Sequence, residues 1–334
     1  MWLLSLVAIV AALGWVVWER SHRRTSAMLG GLHTDLVLPA ESEFELYHNA
    51  LSLCSKKVRV CLAELGIEYY SHHIHLIETG AYENIGRDFL AVNPAGLVPV
   101  LVHQGHPVYE SHEIIRYVAD HCARSVTTLV PSETARETEM QQWVDRASLT
   151  GDDPIAAASQ SAGNAVPGLT VPLFAAMLVE IPYWRIFEGL LFHRLKIRPT
   201  LFIAMKTLGL RNLHRGPAAG VIASCARHMA IHLDALETQL ERTGGPWIVG
   251  DLFTLADVSW IPIFDRLLEA DSLHCFLGGG KRPGTTAYWE RLRQRPSYHE
   301  AITQHGHPTI ERGTERLKQA KRDNAALRAA LEPV

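Results

Sequence analysis

"NALSLCSKKVRVCLAEL", residues 49–65, decides how this 334-residue chain is read. Apolar side chains recur at 54, 58, 61, 62 and 65, the spacing of one helix face. Gly66 follows as the C′ glycine that ends the helix. Upstream, 44–49 (FELYHN) sets Phe44, Leu46 and His48 against polar neighbours, as a short strand does. Downstream, 68–77 (EYYSHHIHLI) is aromatic and β-branched and reads as a second strand. Strand–helix–strand predicts a βαβ unit with a parallel pair. On residue type alone, Ser52 reads as an N-cap and Cys54 as a small residue on the core stripe. Both also sit in the first turn, where a thiolate is stabilised, so a chemical role stays open.

Further along, 93–102 (NPAGLVPVLV) places Pro99 inside an apolar strand run, where it removes a ladder donor. A cis Val98–Pro99 bond turning the chain into the strand is one resolution. Residues 106–110 (HPVYE) make a short edge strand, and 111–122 reads as a helix opening on an N-cap Ser111. From about 133 onward the chain is nearly all helical. There, Thr254 at N-cap and Asp257 at N3 form a capping-box pair, with Phe253 and Val258 placed as a hydrophobic staple. Asp257 is therefore expected to be structural. Residues 308–334 read as a polar terminal helix.

The length favours two domains. With 47% hydrophobic residues and a net charge of −3, the chain has a core and no basic excess for nucleic acid. Five cysteines, at 54, 61, 122, 225 and 275, form neither a CxxC pair nor a disulfide framework. His72, His73 and His75 split between the two faces of a strand, leaving only His73 and His75 together, so no metal is expected. The first 18 residues carry no charge and hold three Trp near their ends, as a membrane span does; a signal peptide or a buried helix is the alternative. Arg20, Arg23 and Arg24 follow, which puts the remaining chain on the cytoplasmic side. Residues 165–217 are apolar and aromatic, yet carry Arg185, Arg194, Lys196, Arg198 and prolines at 167, 172, 182 and 199. This stretch could lie along a membrane surface, cover a pocket, or form a helical hairpin packed on the core.

Taken in order, the Ser-x-Cys-Ser turn, Val-Pro before a strand, Glu-Ser opening a helix and the Thr-x-x-Asp staple resemble the glutathione S-transferase superfamily. The resemblance covers about 44–125 and 126–310. "SLCSKKVRV" is similar to the turn of the zeta class, the maleylacetoacetate isomerases, with Leu53 departing from that class's second serine. It is more similar to the turn of bacterial reductive dehalogenases acting on chlorinated hydroquinones. The N-terminal half also resembles the membrane-anchored ganglioside-induced differentiation-associated proteins, whose anchor is at the other end. Beyond the anchor (1–18) and linker (19–43) read from the residues, the resemblance implies a thioredoxin-like βαβ-ββα domain (44–125) and an all-helical domain (126–310). That helical domain has a long apolar insertion (155–220), and a polar helical tail (311–334) follows it.

The same resemblance implies glutathione as cosubstrate, an apolar electrophile, no metal, and a homodimer. Ser52 would donate to the glutathione sulfur. In the dehalogenase-like relatives the cysteine matching Cys54 forms a mixed disulfide with glutathione. Val98, before Pro99, would pair its backbone with the cysteinyl part of glutathione. Glu110 would meet the γ-glutamyl ammonium, and Ser111 with its helix N–H groups the γ-glutamyl carboxylate. The competing reading is a membrane-associated module of the same fold that contacts a partner or lipid without catalysis.

Overall fold

The computed structural model describes residues 2–122, 128–151 and 153–332. It begins with helix α1, Trp2–His22, which is exposed along almost its whole length. A mixed sheet of five strands follows: β1 Gly31–Leu32, β2 Phe44–His48, β3 Tyr70–His73, β4 Val100–His103 and β5 His106–Tyr109. Their spatial order is β1-β5-β4-β2-β3. β2 and β3 run parallel, with Glu45 opposite Tyr70 and His48 opposite His73, and the other pairings are antiparallel. α2 (Leu53–Glu64) crosses between the parallel strands, and α3 (Arg87–Val92) and α4 (Ser111–His121) complete this unit. The strand expected over 68–77 is shorter, because the chain turns away at Ile74.

The rest is helical: α5 Thr134–Ala147, α6 Ala162–Met177, α7 Tyr183–Phe192, α8 Ile197–Leu208, α9 Ala218–Thr243, α10 Leu255–Glu269, α11 Leu273–Leu277, α12 Pro283–Arg293, α13 Pro296–Ala301, α14 Pro308–Asp323 and α15 Ala325–Leu331. One hydrophobic core joins the α2–α4 face of the sheet to α5, α6, α9 and α10.

α2 is where the two halves meet. Its apolar stripe, Val58, Cys61, Leu62, with Leu65 beyond, is buried as its spacing predicts. Its polar face is buried too, because the helical half lies on it. Lys56 pairs with Asp265 and, at 2.6 Å, with Glu269. Arg59 donates to the carbonyl of Ala301 at 2.7 Å. Arg295 grips Glu64 with two hydrogen bonds of 2.6 Å. Burying these charges is tolerable only because each has partners.

Residues 25–43 show no period in the sequence, yet they do not hang free. Ser26 N–H donates to the Pro94 carbonyl at 2.9 Å, and β1 adds to the edge of β5. Met28, Leu36 and Leu38 pack on Phe89, Val100, Val102 and Tyr109. The C-terminal run is also broken: Asn324 ends α14 and caps α15, accepting from Leu327 N–H at 3.0 Å. Neither helix is a free polar tail. Gly313 lets α14 approach α6 closely, since a Cβ there would lie 2.5 Å from Met177 Cγ.

The helix start at Thr254 forms as its residues dictate. Thr254 and Asp257 make the reciprocal capping box, and Phe253 and Val258 are buried in the same core. Asp257 is fully buried and accepts from Ile248 N–H, Thr254 N–H, Thr254 Oγ1 and Tyr288 Oη at 2.8–3.2 Å.

Candidate functional site

The register gathers the residues singled out from the sequence at one end of the sheet. Tyr47 lies opposite Val100, so the residues just before β4 sit beside the exit of β2 into the α2 turn. Leu101 lies opposite Val108, which brings the end of β5 and Glu110 beside the same pair, Val98 and Pro99. The Val98–Pro99 peptide is cis. Ser52, Val98–Pro99 and Glu110–Ser111 therefore frame a common corner.

Ser52 is the N-cap of α2, with extended backbone (φ −63°, ψ 121°). Its Oγ accepts from Ser55 N–H at 3.2 Å. That uses a lone pair and leaves the O–H to donate. The cap and a hydrogen bond to a ligand at the helix's positive end are thus compatible. The turn before it is fixed by Asn49, which the sequence reading passed over. Asn49 is fully buried; its Oδ1 accepts from Leu51 N–H at 2.8 Å. Its Nδ2 donates to the Ile74 carbonyl at 2.9 Å and to Thr79 Oγ1 at 3.0 Å. The signal was available: asparagine, here three residues before the helix cap, is a common turn former. The Arg266 guanidinium, from the helical half, donates to the Leu51 carbonyl.

Cys54 stands at the second position of α2. Its spacing puts it on the core stripe, but it is half-buried, unlike Val58 and Cys61. With Leu53, Lys57, Leu149, Gly163 and Ser259 it lines a cavity of about 10 Å³. That holds about one water and no substrate. Lys57, one turn on, is buried and forms no salt bridge among the described residues. Burial pushes its ammonium below the ordinary lysine value, opposed by nearby Cys54, Glu110 and Asp145. No motif flags Lys57; only the fold shows that it is not a solvent-facing lysine.

Glu110 takes φ +65° and is exposed. It is itself the N-cap of α4, so Ser111 is the first helical residue rather than the cap expected. The left-handed turn at Glu110 moves the boundary by one residue. Ser111 is buried, and the first-turn N–H groups of α4 start beside it. The strap from the N-terminus passes this corner at Gly30. A Cβ there would come within 2.9 Å of Glu113 Cγ and 3.2 Å of Glu110 Cβ, so only glycine passes this close.

Thr254 and Asp257 lie in the helical half as a cap and take no part in this corner. His72 leaves its two neighbours, as alternation predicts: it pairs with Glu45 at 2.7 Å and stacks on Tyr47. His73 and His75 stay together with ring centroids 4.7 Å apart, and His48, His305 and His307 join them. Elsewhere, His274, Cys275 and Glu332 bring ligand-type atoms within 4.8 Å of one another. The Lys321 ammonium, 2.6 Å from Glu332, already supplies positive charge to that group.

A thioredoxin-like sheet with a cis-proline corner is followed by an all-helical half that clamps the first helix. Residues 51–121 match the family described as glutathione S-transferase, N-terminal domain, and residues 224–302 match glutathione S-transferase, C-terminal domain. The chain thus matches both domains of the glutathione S-transferase superfamily. It is 28% identical over 262 residues to glutathione S-transferase TCHQD of Arabidopsis thaliana, an alignment covering 77% of this chain and 89% of that one. It is also 28% identical over 313 residues to a 2,5-dichlorohydroquinone reductive dechlorinase of Sphingobium indicum, covering 81% and 86%. Among solved structures, the beta-etherase LigF of Sphingobium sp. superposes with a TM-score of 0.62 at 19% identity, covering 79% of this chain and all of that one. Likeness at that identity speaks for the fold alone.

Proposed function

We propose that this chain is a glutathione-dependent enzyme that attacks an apolar electrophile, held to a membrane by α1 with its two domains on the cytoplasmic side. The glutathione sulfur would rest against the start of α2, where the Ser52 O–H and the helix's positive end favour the thiolate. Val98 would pair with the cysteinyl backbone, and Glu110, Ser111 and the first turn of α4 would hold the γ-glutamyl end. The observation that carries this reading is the convergence of those three elements on one corner by strand register. α1 has 21 residues, which by its rise spans about 31 Å, near the thickness of a bilayer's hydrocarbon core. Arg20, Arg23 and Arg24 at its end support the orientation.

Cys54 beside the buried Lys57 favours a reductive branch of the same chemistry. Glutathione would first displace a halide from a chlorinated ring. The Cys54 thiolate would then attack the sulfur of the glutathionyl adduct; the carbon–sulfur bond breaks, the ring carbon keeps the electron pair and takes a proton from water, and a Cys54–glutathione mixed disulfide remains. A second glutathione would resolve it as glutathione disulfide. The test is glutathione-dependent turnover of a chlorinated hydroquinone and of a simple aryl halide by the full chain, with Ser52→Ala and Cys54→Ser. The reductive reading predicts that Cys54→Ser still releases halide but accumulates the glutathionyl adduct, with no reduced ring or glutathione disulfide formed, while aryl-halide conjugation persists. Equal loss in both assays would confine Cys54 to packing. No glutathione binding by the intact chain would favour the non-catalytic module instead.

A further inference from the structure

We propose that the α7–α8 hairpin is a second membrane contact, lying in the headgroup region of the leaflet from which α1 emerges, with an anionic lipid surface as its partner. This rests on the reading of α1 as an anchor. α7 has two distinct faces. Ile186, Gly189 and Phe192 are buried against Tyr82 and Phe202. Gly189 is required there, since a Cβ would lie 2.3 Å from Tyr82 Oη. The opposite face presents Tyr183, Trp184, Phe187 and Leu191, and the chain beyond adds Ile197 and Leu201. Trp184 and Ile197 are each 61% exposed. Water-facing helices do not carry such a run, and a patch of this kind marks an interaction surface.

Three observations select lipid over a protein partner. First, the hairpin that carries the patch is docked on the end of α1 through its other face. Trp15 meets Phe192 edge-on with centroids 6.2 Å apart. Arg23 sits 4.6 Å from the Phe192 ring centre and pairs with Glu188 at 3.1 Å and Glu19 at 2.6 Å. Second, the depth agrees. If α1 spans the core, its Trp15–Arg23 end falls at headgroup level, and α7 touches it there. Third, the charge is one-sided. Between 183 and 208 the bases are Arg185, Arg194, Lys196, Arg198 and Lys206, against the single acid Glu188, which is already paired. Aromatic side chains alternating with arginine and lysine suit the boundary between acyl chains and anionic headgroups.

The full chain, reconstituted in phosphatidylcholine vesicles with and without phosphatidylglycerol, should be photolabelled with a diazirine-bearing phosphatidylcholine and mapped by mass spectrometry. Label is expected in 183–201 as well as in 2–18, and to rise in 183–201 with phosphatidylglycerol. Trp184→Glu with Phe187→Glu should abolish the first and leave the second. Label confined to 2–18 would overturn the proposal while leaving the anchor. Label in neither segment would remove the anchor and the proposal together. Crosslinks between two copies through 183–201, in place of lipid label, would assign the face to a dimer.

Discussion

A single hydroxyl illustrates how structure and chemistry coincide at residue scale. Ser52 stabilises the α2 start by accepting from Ser55 N–H, and the same oxygen retains a proton to offer a sulfur. Asp257 is the contrasting case. All four of its hydrogen bonds accept, so it serves the fold and has nothing left for a substrate. Burial pushes its carboxyl up to about 6, against those four donors. Asp257→Asn would turn an amide N–H₂ toward two donors, and should destabilise the chain by about 3 kcal/mol. Urea denaturation measures this; a loss below about 1 kcal/mol would mean the capping box is dispensable.

At the scale of elements, the histidines tie the sheet to the C-terminal helices. His48 on β2 and His73 on β3 meet His305 and His307, the latter capping α14, with Arg59, Tyr69 and Ser71 alongside. Burial, and then the neighbouring positive groups, lower His73 and His305 to about 4 and His48 to about 2. Their unfolded value is about 6.5. Between those values the unfolded chain binds protons that the folded chain refuses. The stability they supply is therefore complete above about 6.5 and is lost as pH falls toward 4. Asp257 runs the other way, since its raised carboxyl favours folding at low pH. The melting temperature of His73→Phe/His305→Phe should accordingly depend less on pH between 7 and 4.5 than that of the parent. An unchanged slope would mean that these rings stay solvated.

This cluster also shows where sequence reading stops. The spacing of 72, 73 and 75 reveals the split between faces, but His305 and His307 lie over 230 residues away. The βαβ unit, the cis Val98–Pro99 peptide and the Thr254 start were legible because each depends on neighbours a few residues apart. The two-residue β1 was not, because Gly31 and Leu32 carry no period. The Ser111 boundary moved because a positive φ at Glu110 has no marker in residue type.

Across the whole molecule, α2 is a shared component of both halves. Lys56 and Arg59 lie off the apolar stripe of α2, yet both are buried beneath α10 and α13. The site's first helix is thus held by the helical half as well as by the sheet. Lys56→Met removes the cation between Asp265 and Glu269, leaving the buried Asp265 carboxylate without its cation while Glu269 keeps Arg266. We expect about 3–5 kcal/mol lost in the full chain, read as a lower urea midpoint, with weaker glutathione binding. A neutral result would show that water or rearrangement compensates.

The account depends on glutathione's sulfur meeting Ser52 at the opening of α2. Its most direct test is the pH titration of bound glutathione's thiolate absorbance in the full chain and in Ser52→Ala. A hydrogen bond to a charged group is worth about 1.5–3 kcal/mol. At about 1.4 kcal/mol per unit, the variant's bound-thiol pKa should rise by about one to two units. Identical titrations in the two proteins, or no bound thiol in either, would contradict it.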